Sequence, residues 1–260
     1  DMGERVLQAL KYESLADFVA HLEALGELVR IRASVDPLLE ITEIANRCMK
    51  TPGGGPALLF ENVRGSRFPL AINLMGSRRR MSLALGVGDI DEHARELAAL
   101  LKTQPGVTIW EKLRMLPKLA RIASSAPKRI SSHAPCQDVV EANPDLTTLP
   151  IAKCWPDDGG PYLTLPQVIT RDPDTGVRNV GMYRMQLLDR NTTAMHWQVH
   201  KTGHRHYRRY QELGQRIPVA VALGGDPALT YAASAPLPDG VDEYLLAGFL
   251  RRRPVRLVRA

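Results

Sequence analysis

The sequence predicts an α+β fold, with an N-terminal α/β domain over residues 1–123 and an antiparallel β domain over residues 124–260. Three observations predict it. Up to residue 123, apolar residues recur at helical spacing between short strand-like runs. From residue 135 onward, short β-rich runs alternate with turn formers such as Asp174, Gly176, Asp189 and Asn191. Between the two lies SSAPKRISSHA at 124–134, a polar run with a proline and no apolar period, which reads as a linker or surface crossover.

The elements follow in order. Ser14 and Asp17 have the spacing of a capping box, in which a hydroxyl and a carboxylate satisfy each other's orphan backbone N–H groups. Leu15, Phe18, Val19, Leu22 and Leu25 then form a helical stripe that Gly26 terminates. Leu28 to Ile31 reads as a strand. A second helix follows Pro37, with Leu38, Ile41, Ile44, Ala45 and Cys48 inward, which makes Cys48 a packing residue. Gly53, Gly54 and Gly55 precede strands at 57–60 and 70–74, and this helix, glycine, strand order is wrong for a nucleotide loop. Residues 81–101 and 111–124 read as helices. Strands are expected at 163–170, 181–188, 192–197 and 218–223, then a helix at 242–251 and a strand at 254–258.

Composition narrows the function classes. With 44% apolar and 24% charged residues in 260, the chain suits a folded protein with a real core. A net charge of +6 is modest and its basic residues are scattered, which argues against nucleic acid as a partner. Cys48, Cys136 and Cys154 are too few and too dispersed for a disulfide framework or a four-ligand zinc site. No apolar run reaches the roughly 20 residues that span a bilayer. A cytoplasmic protein with at most peripheral membrane contact is expected.

The richest chemistry lies between Asn179 and His204, NVGMYRMQLLDRNTTAMHWQVHKTGH. Read as a hairpin around Asp189 to Asn191, strand alternation places Arg184 and Gln186 on one face and His196, Gln198 and His200 on another. Asn179, Arg184, His196, His200 and Lys201 are then candidates to converge on one anionic ligand. An amide oxygen, an imidazole and a carboxylate suit Mn2+ or Mg2+, and a guanidinium offers a rigid fork to phosphate or carboxylate. From residue types alone, the same set is more often an ordinary surface or packing group.

The chain resembles the UbiD family of prenylated-FMN-dependent decarboxylases, particularly the bacterial enzymes acting on polyprenyl 4-hydroxybenzoate. The resemblance runs through KYESLADFVAHLEALGELVRI at 11–31, VDPLLEITEIANR at 35–47, GGPALLFENVRG at 54–65, APCQ at 134–137 and CWPDD at 154–158. It continues through NVGMYRMQ at 179–186, PVAVALGGDPA at 218–228 and DEYLLAGFLR at 242–251.

The resemblance implies that the β domain is barrel-like and flavin-reductase-like. It implies Asn179, His200 and Glu243 as ligands of Mn2+ or Mg2+, which bridges protein to the phosphate of prenylated FMN, with K+ as an additional ion. It assigns cofactor binding to Met182, Tyr183, Arg184, His196, Trp197, Gln198, Lys201 and Thr202, and gives Arg184 the catalytic position facing the substrate carboxylate. At the position of His196 the bacterial relatives tend to carry arginine. The implied activity is reversible, non-oxidative decarboxylation of an aromatic or α,β-unsaturated acid through a prenylated-flavin adduct, with polyprenyl 4-hydroxybenzoate of ubiquinone biosynthesis as a candidate substrate. A homo-oligomer and dependence on a flavin prenyltransferase are also implied. The family's acidic proton donor is expected beyond the Glu243 region, outside these residues, so the 260-residue chain alone is expected to be inactive. A flavin-binding module without catalysis and a structural or anion-binding protein are the alternatives.

Overall fold

A computed structural model describes residues 12–91, 94–95, 98, 120 and 122–260. Helix α1 (Leu15–Ala24) opens with the expected capping box: Asp17 N–H donates to Ser14 Oγ at 3.2 Å, and Ser14 N–H donates to Asp17 Oδ2 at 3.0 Å. Strand β1 (Leu28–Val35), helix α2 (Glu40–Met49), β2 (Ala57–Val63) and β3 (Leu70–Ile72) follow. β1 and β2 pair in parallel across the α2 crossover, and β3 pairs antiparallel to β2.

Strand alternation along β2 divides the packing. Ala57 and Leu59 join Phe18, Val19 and Leu22 of α1 in one core, while Leu58 and Phe60 join Ile41 and Ala45 of α2 in another. The glycine run is a packing device: a Cβ on Gly54 would lie 2.2 Å from the Gly76 carbonyl oxygen, and one on Gly55 would lie 2.3 Å from that of Cys48. Helix α3 (Arg78–Leu85) ends at left-handed Gly86, so the expected 81–101 helix is broken there. Much of its remainder, and most of the expected 111–124 helix, lie outside the described residues.

The second half holds β4 (Lys128–Arg129), β5 (Tyr162–Leu163), β6 (Gln167–Arg171), β7 (Arg178–Met182), β8 (Met185–Leu187) and β9 (Thr193–Met195). Helix α4 (Thr202–Glu212), β10 (Ala220–Ala222), α5 (Pro227–Ser234), α6 (Glu243–Arg251) and β11 (Arg256–Leu257) complete it. β4 lies inside the expected linker and pairs in parallel with β11, so that run is integrated into the fold. Leu85 of α3 packs with Ala228 of α5 and Leu250 of α6.

The barrel-like, flavin-reductase-like expectation is corrected. Among the described residues the strands form three separate small sheets here, β10-β6-β7, β5-β8-β9 and β11-β4, and none closes into a barrel. The expected strands 163–170 and 181–188 each break in two. Leu163 pairs with Met185 and Gln167 with Met182, but the ladder between them is interrupted at Pro166 and at Tyr183 and Arg184. Proline has no N–H to give a ladder, and the Tyr183 side chain is buried. α5 and α6 then cover β7 through Ala232, Ala233, Tyr244 and Ala247 against Val180, so a layered α+β arrangement replaces the barrel.

Candidate functional site

A cleft of about 290 Å³ opens between β7, the N-terminus of α4 and the chain running from the end of α5 to the start of α6. Its walls include Asn179, Met182, Tyr183, His200, Lys201, Thr202 and Glu243. Residues from three separate stretches of sequence therefore meet there, including all three expected metal ligands.

Each side chain is placed by an identifiable contact. Asn179 pairs with Thr170 across the β6–β7 ladder and is only 5% exposed. Its Nδ2 donates to Tyr183 Oη at 3.4 Å, and the same oxygen accepts the Gly203 backbone N–H at 2.9 Å. Tyr183 thus ties β7 to the first turn of α4. Burial raises its hydroxyl above the ordinary tyrosine range, opposed by these hydrogen bonds.

Glu243 is the first residue of α6, where the helix end favours an anion. Its Oε2 accepts the Val180 backbone N–H at 3.0 Å. Burial nevertheless raises its carboxyl above the ordinary glutamate range, against the pull of that hydrogen bond and of Arg178. Next to it, Asp242 caps α6 by accepting from Tyr244 N–H at 2.9 Å and pairs with Arg178. The Arg178 guanidinium also lies 5.0 Å from the centre of the Tyr244 ring. This cluster clamps the start of α6 to β7.

The opposite wall is basic. No side chain caps α4 at Lys201. One turn on, Arg205 grips Asp239 with both terminal nitrogens, at 2.7 and 3.1 Å, and reaches Thr202 Oγ1 at 3.0 Å. Arg205, Asp239 and the 233–237 segment line the cleft yet were not anticipated. The basic run from His200 to Arg209 was a sequence signal for Arg205, but the helical face that selects it was not recognised.

Four expected cofactor residues lie outside this cleft. β9 ends at Met195, so His196, Gln198 and His200 do not share a strand face as expected. Trp197 meets Tyr183 edge to face at 5.1 Å and stacks on Tyr207 at 5.9 Å, a packing role. Gln198 is exposed. Arg184 and His196 sit together at the β8–β9 sheet, where His196 N–H donates to the Arg184 carbonyl at 3.0 Å. The exposed Arg184 guanidinium lies 5.4 Å from the Tyr162 ring centre.

Among the described residues, no group of three or more His, Cys, Asp and Glu side chains is gathered to hold a metal. The cleft offers one imidazole, one carboxylate and one amide, so a cation there would need further oxygens from a ligand or water. The described residues contain no helix long and apolar enough to cross a membrane.

Comparisons with known proteins place the chain in a family. The family described as 3-octaprenyl-4-hydroxybenzoate carboxy-lyase matches through its Rift-related domain at residues 128–260 and its N-terminal domain at residues 19–101. An uncharacterized protein of Aquifex aeolicus is 48% identical over 249 residues, which cover 96% of this chain and 51% of that protein. The evolved dimeric form of the UbiD-class enzyme HmfF from Pelotomaculum thermopropionicum, in complex with prFMN, matches at 30% identity with a TM-score of 0.79, covering 96% of this chain and 53% of that one. Vanillic acid decarboxylase from Sedimentibacter hydroxybenzoicus in its closed form shares the fold, with a TM-score of 0.79 at 24% identity over 97% of this chain and 51% of that one. The chain spans about half the length of the curated relatives it matches. On the strength of both domain matches, the chain belongs to the UbiD family.

Proposed function

We propose that this chain forms the cofactor-binding part of a carboxy-lyase that removes CO2 from an aromatic or α,β-unsaturated acid with prenylated FMN. The observation that carries the reading is the meeting of Asn179, His200, Lys201, Thr202 and Glu243 at one cleft. The solved relatives in complex with prFMN and with FMN support it.

The residues fit a divalent cation and a phosphate. Mn2+ or Mg2+ would take the Asn179 amide oxygen, the His200 imidazole and the Glu243 carboxylate, and its charge would offset the cost of burying Glu243. Lys201, Thr202 and Arg205 would face the phosphate. At about 290 Å³ the cleft suits the ribityl-phosphate end of a flavin, being at the small end of ligand pockets, which run from roughly 300 Å³ upward.

When bound, the prenylated flavin supplies the electron sink that decarboxylation requires. The protein's task is placement. Met182 and Tyr183 lead from the cleft to Arg184, whose guanidinium would orient the substrate carboxylate against the Tyr162 ring.

Polyprenyl 4-hydroxybenzoate, a bound K+, a homo-oligomer, a cytoplasmic location and the 1–123 and 124–260 domain division belong to the same proposal. The test is to express the full-length gene product with a flavin prenyltransferase, and to measure bound flavin and CO2 release from a panel of aromatic acids. Retained prenylated FMN and a decarboxylated product support the reading; native protein that retains no flavin refutes it.

A further inference from the structure

The Arg205–Asp239 pair joins two of the segments that line the cleft. Arg205 projects from the first turns of α4, and Asp239 comes from the loop between α5 and α6. The contact is two-pronged, with Nη2 to Oδ1 at 2.7 Å and Nη1 to Oδ2 at 3.1 Å, and both side chains are more than half exposed. A carboxylate held this way presents two oxygens to a guanidinium with the spacing that two phosphate oxygens would present. The pair's exposure keeps it out of the buried core, and both residues line the cleft together with Lys201 and Thr202.

We propose that Asp239 is an internal stand-in for the ligand's phosphate, occupying the Arg205 fork until a phosphate displaces it. The inference rests on the cofactor reading above, in which Arg205 faces the phosphate, and adds one role to it: Asp239 is the competitor that weakens binding and holds the α5–α6 loop across the cleft. Two negative groups cannot share one fork without repulsion, so entry of a phosphate releases Asp239 and the loop with it.

The displaced contact is solvent-exposed, so the competition is modest. Asp239→Asn in the full-length protein should tighten FMN binding about threefold to fivefold, measured by quenching of flavin fluorescence. Arg205→Ala should weaken it by about tenfold or more. Arg205→Lys, which keeps the charge without the fork, should recover only part of that loss.

The decisive measurement is Asp239→Asn in the Arg205→Ala background. The proposal expects the gain to vanish there, because the competitor acts through the fork. A gain that persists overturns it, since Asp239 would then act only as a distant negative charge. Unchanged or weaker FMN binding by Asp239→Asn, with the wild type binding normally, also overturns it and leaves the cofactor reading intact. Absence of FMN binding by every variant overturns both.

Discussion

The Val180 backbone N–H donates to Glu243 Oε2 at 3.0 Å, joining β7 to the first turn of α6 one residue from Asn179. This bond brings Asn179 and Glu243, 64 positions apart in sequence, to one cleft.

Burying the Glu243 carboxyl costs the ligand-free fold stability. That carboxyl's pKa is raised by burial, so the folded state holds its proton more tightly than the unfolded chain does. The ligand-free protein should lose stability as pH rises through the ordinary glutamate range toward that elevated value. Glu243→Gln, which keeps an acceptor for Val180 N–H, should be at least as stable as the wild type at neutral pH without metal. Its Mn2+ affinity should fall by at least about tenfold, as read by electron paramagnetic resonance titration. Wild-type Mn2+ binding should weaken as pH falls and Glu243 takes up its proton.

Tyr183 is the joint between the cleft strand and α4. Tyr183→Phe leaves the Gly203 N–H and the Asn179 amide without their shared acceptor. Denaturant unfolding should show a loss of about 1–3 kcal/mol.

Gly203→Ala tests the same joint by steric means. An added Cβ would lie 2.7 Å from Trp197 Cζ3 and 2.8 Å from Tyr183 Cζ. The aromatic cluster has to shift, which should cost about 1–3 kcal/mol in unfolding measurements and alter tryptophan fluorescence. Unchanged stability and emission would contradict the close packing of α4 on Tyr183.

His206 on α4 gives the fold an acid limit. It is 5% exposed, its Nδ1 lies 2.9 Å from Thr170 Oγ1, and burial lowers its pKa, opposed by Asp172. Because the folded state disfavours the imidazolium, stability should be full above the ordinary histidine range and decline as pH falls through it. His206→Ala should flatten that dependence and cost about 2–4 kcal/mol at neutral pH, measured by denaturant midpoints across a pH series.

The first half of the fold was legible because its signals are local. Ser14 and Asp17 specify the start of α1 by themselves, and alternation along β2 names both faces of its sheet. The second half depends on contacts that spacing does not encode. Pro166 breaks the 163–170 run that composition reads as one strand, and β4 finds β11 far along the chain. Helix α5 was missed although Asp226 caps it and Pro227 occupies its first turn, since its small apolar run has no clear period. At the site, the resemblance identified Asn179, His200 and Glu243, which the structure brings to one cleft. Trp197 packs against Tyr183 and Tyr207, a contact that residue spacing does not encode. The basic run from His200 to Arg209 hints at Arg205, but its pairing with Asp239 is not legible in the sequence, because it requires α4 and the α5–α6 loop to face each other.

The proposed function depends on a divalent cation and a flavin phosphate sharing the Asn179–Glu243 cleft. Phosphorus NMR of FMN bound to the full-length protein, titrated with paramagnetic Mn2+, tests this directly. The account predicts that the phosphate resonance broadens beyond detection in the wild type at stoichiometric Mn2+ and persists in Asn179→Ala with FMN still bound. A sharp resonance in the wild type with both Mn2+ and FMN bound would contradict it.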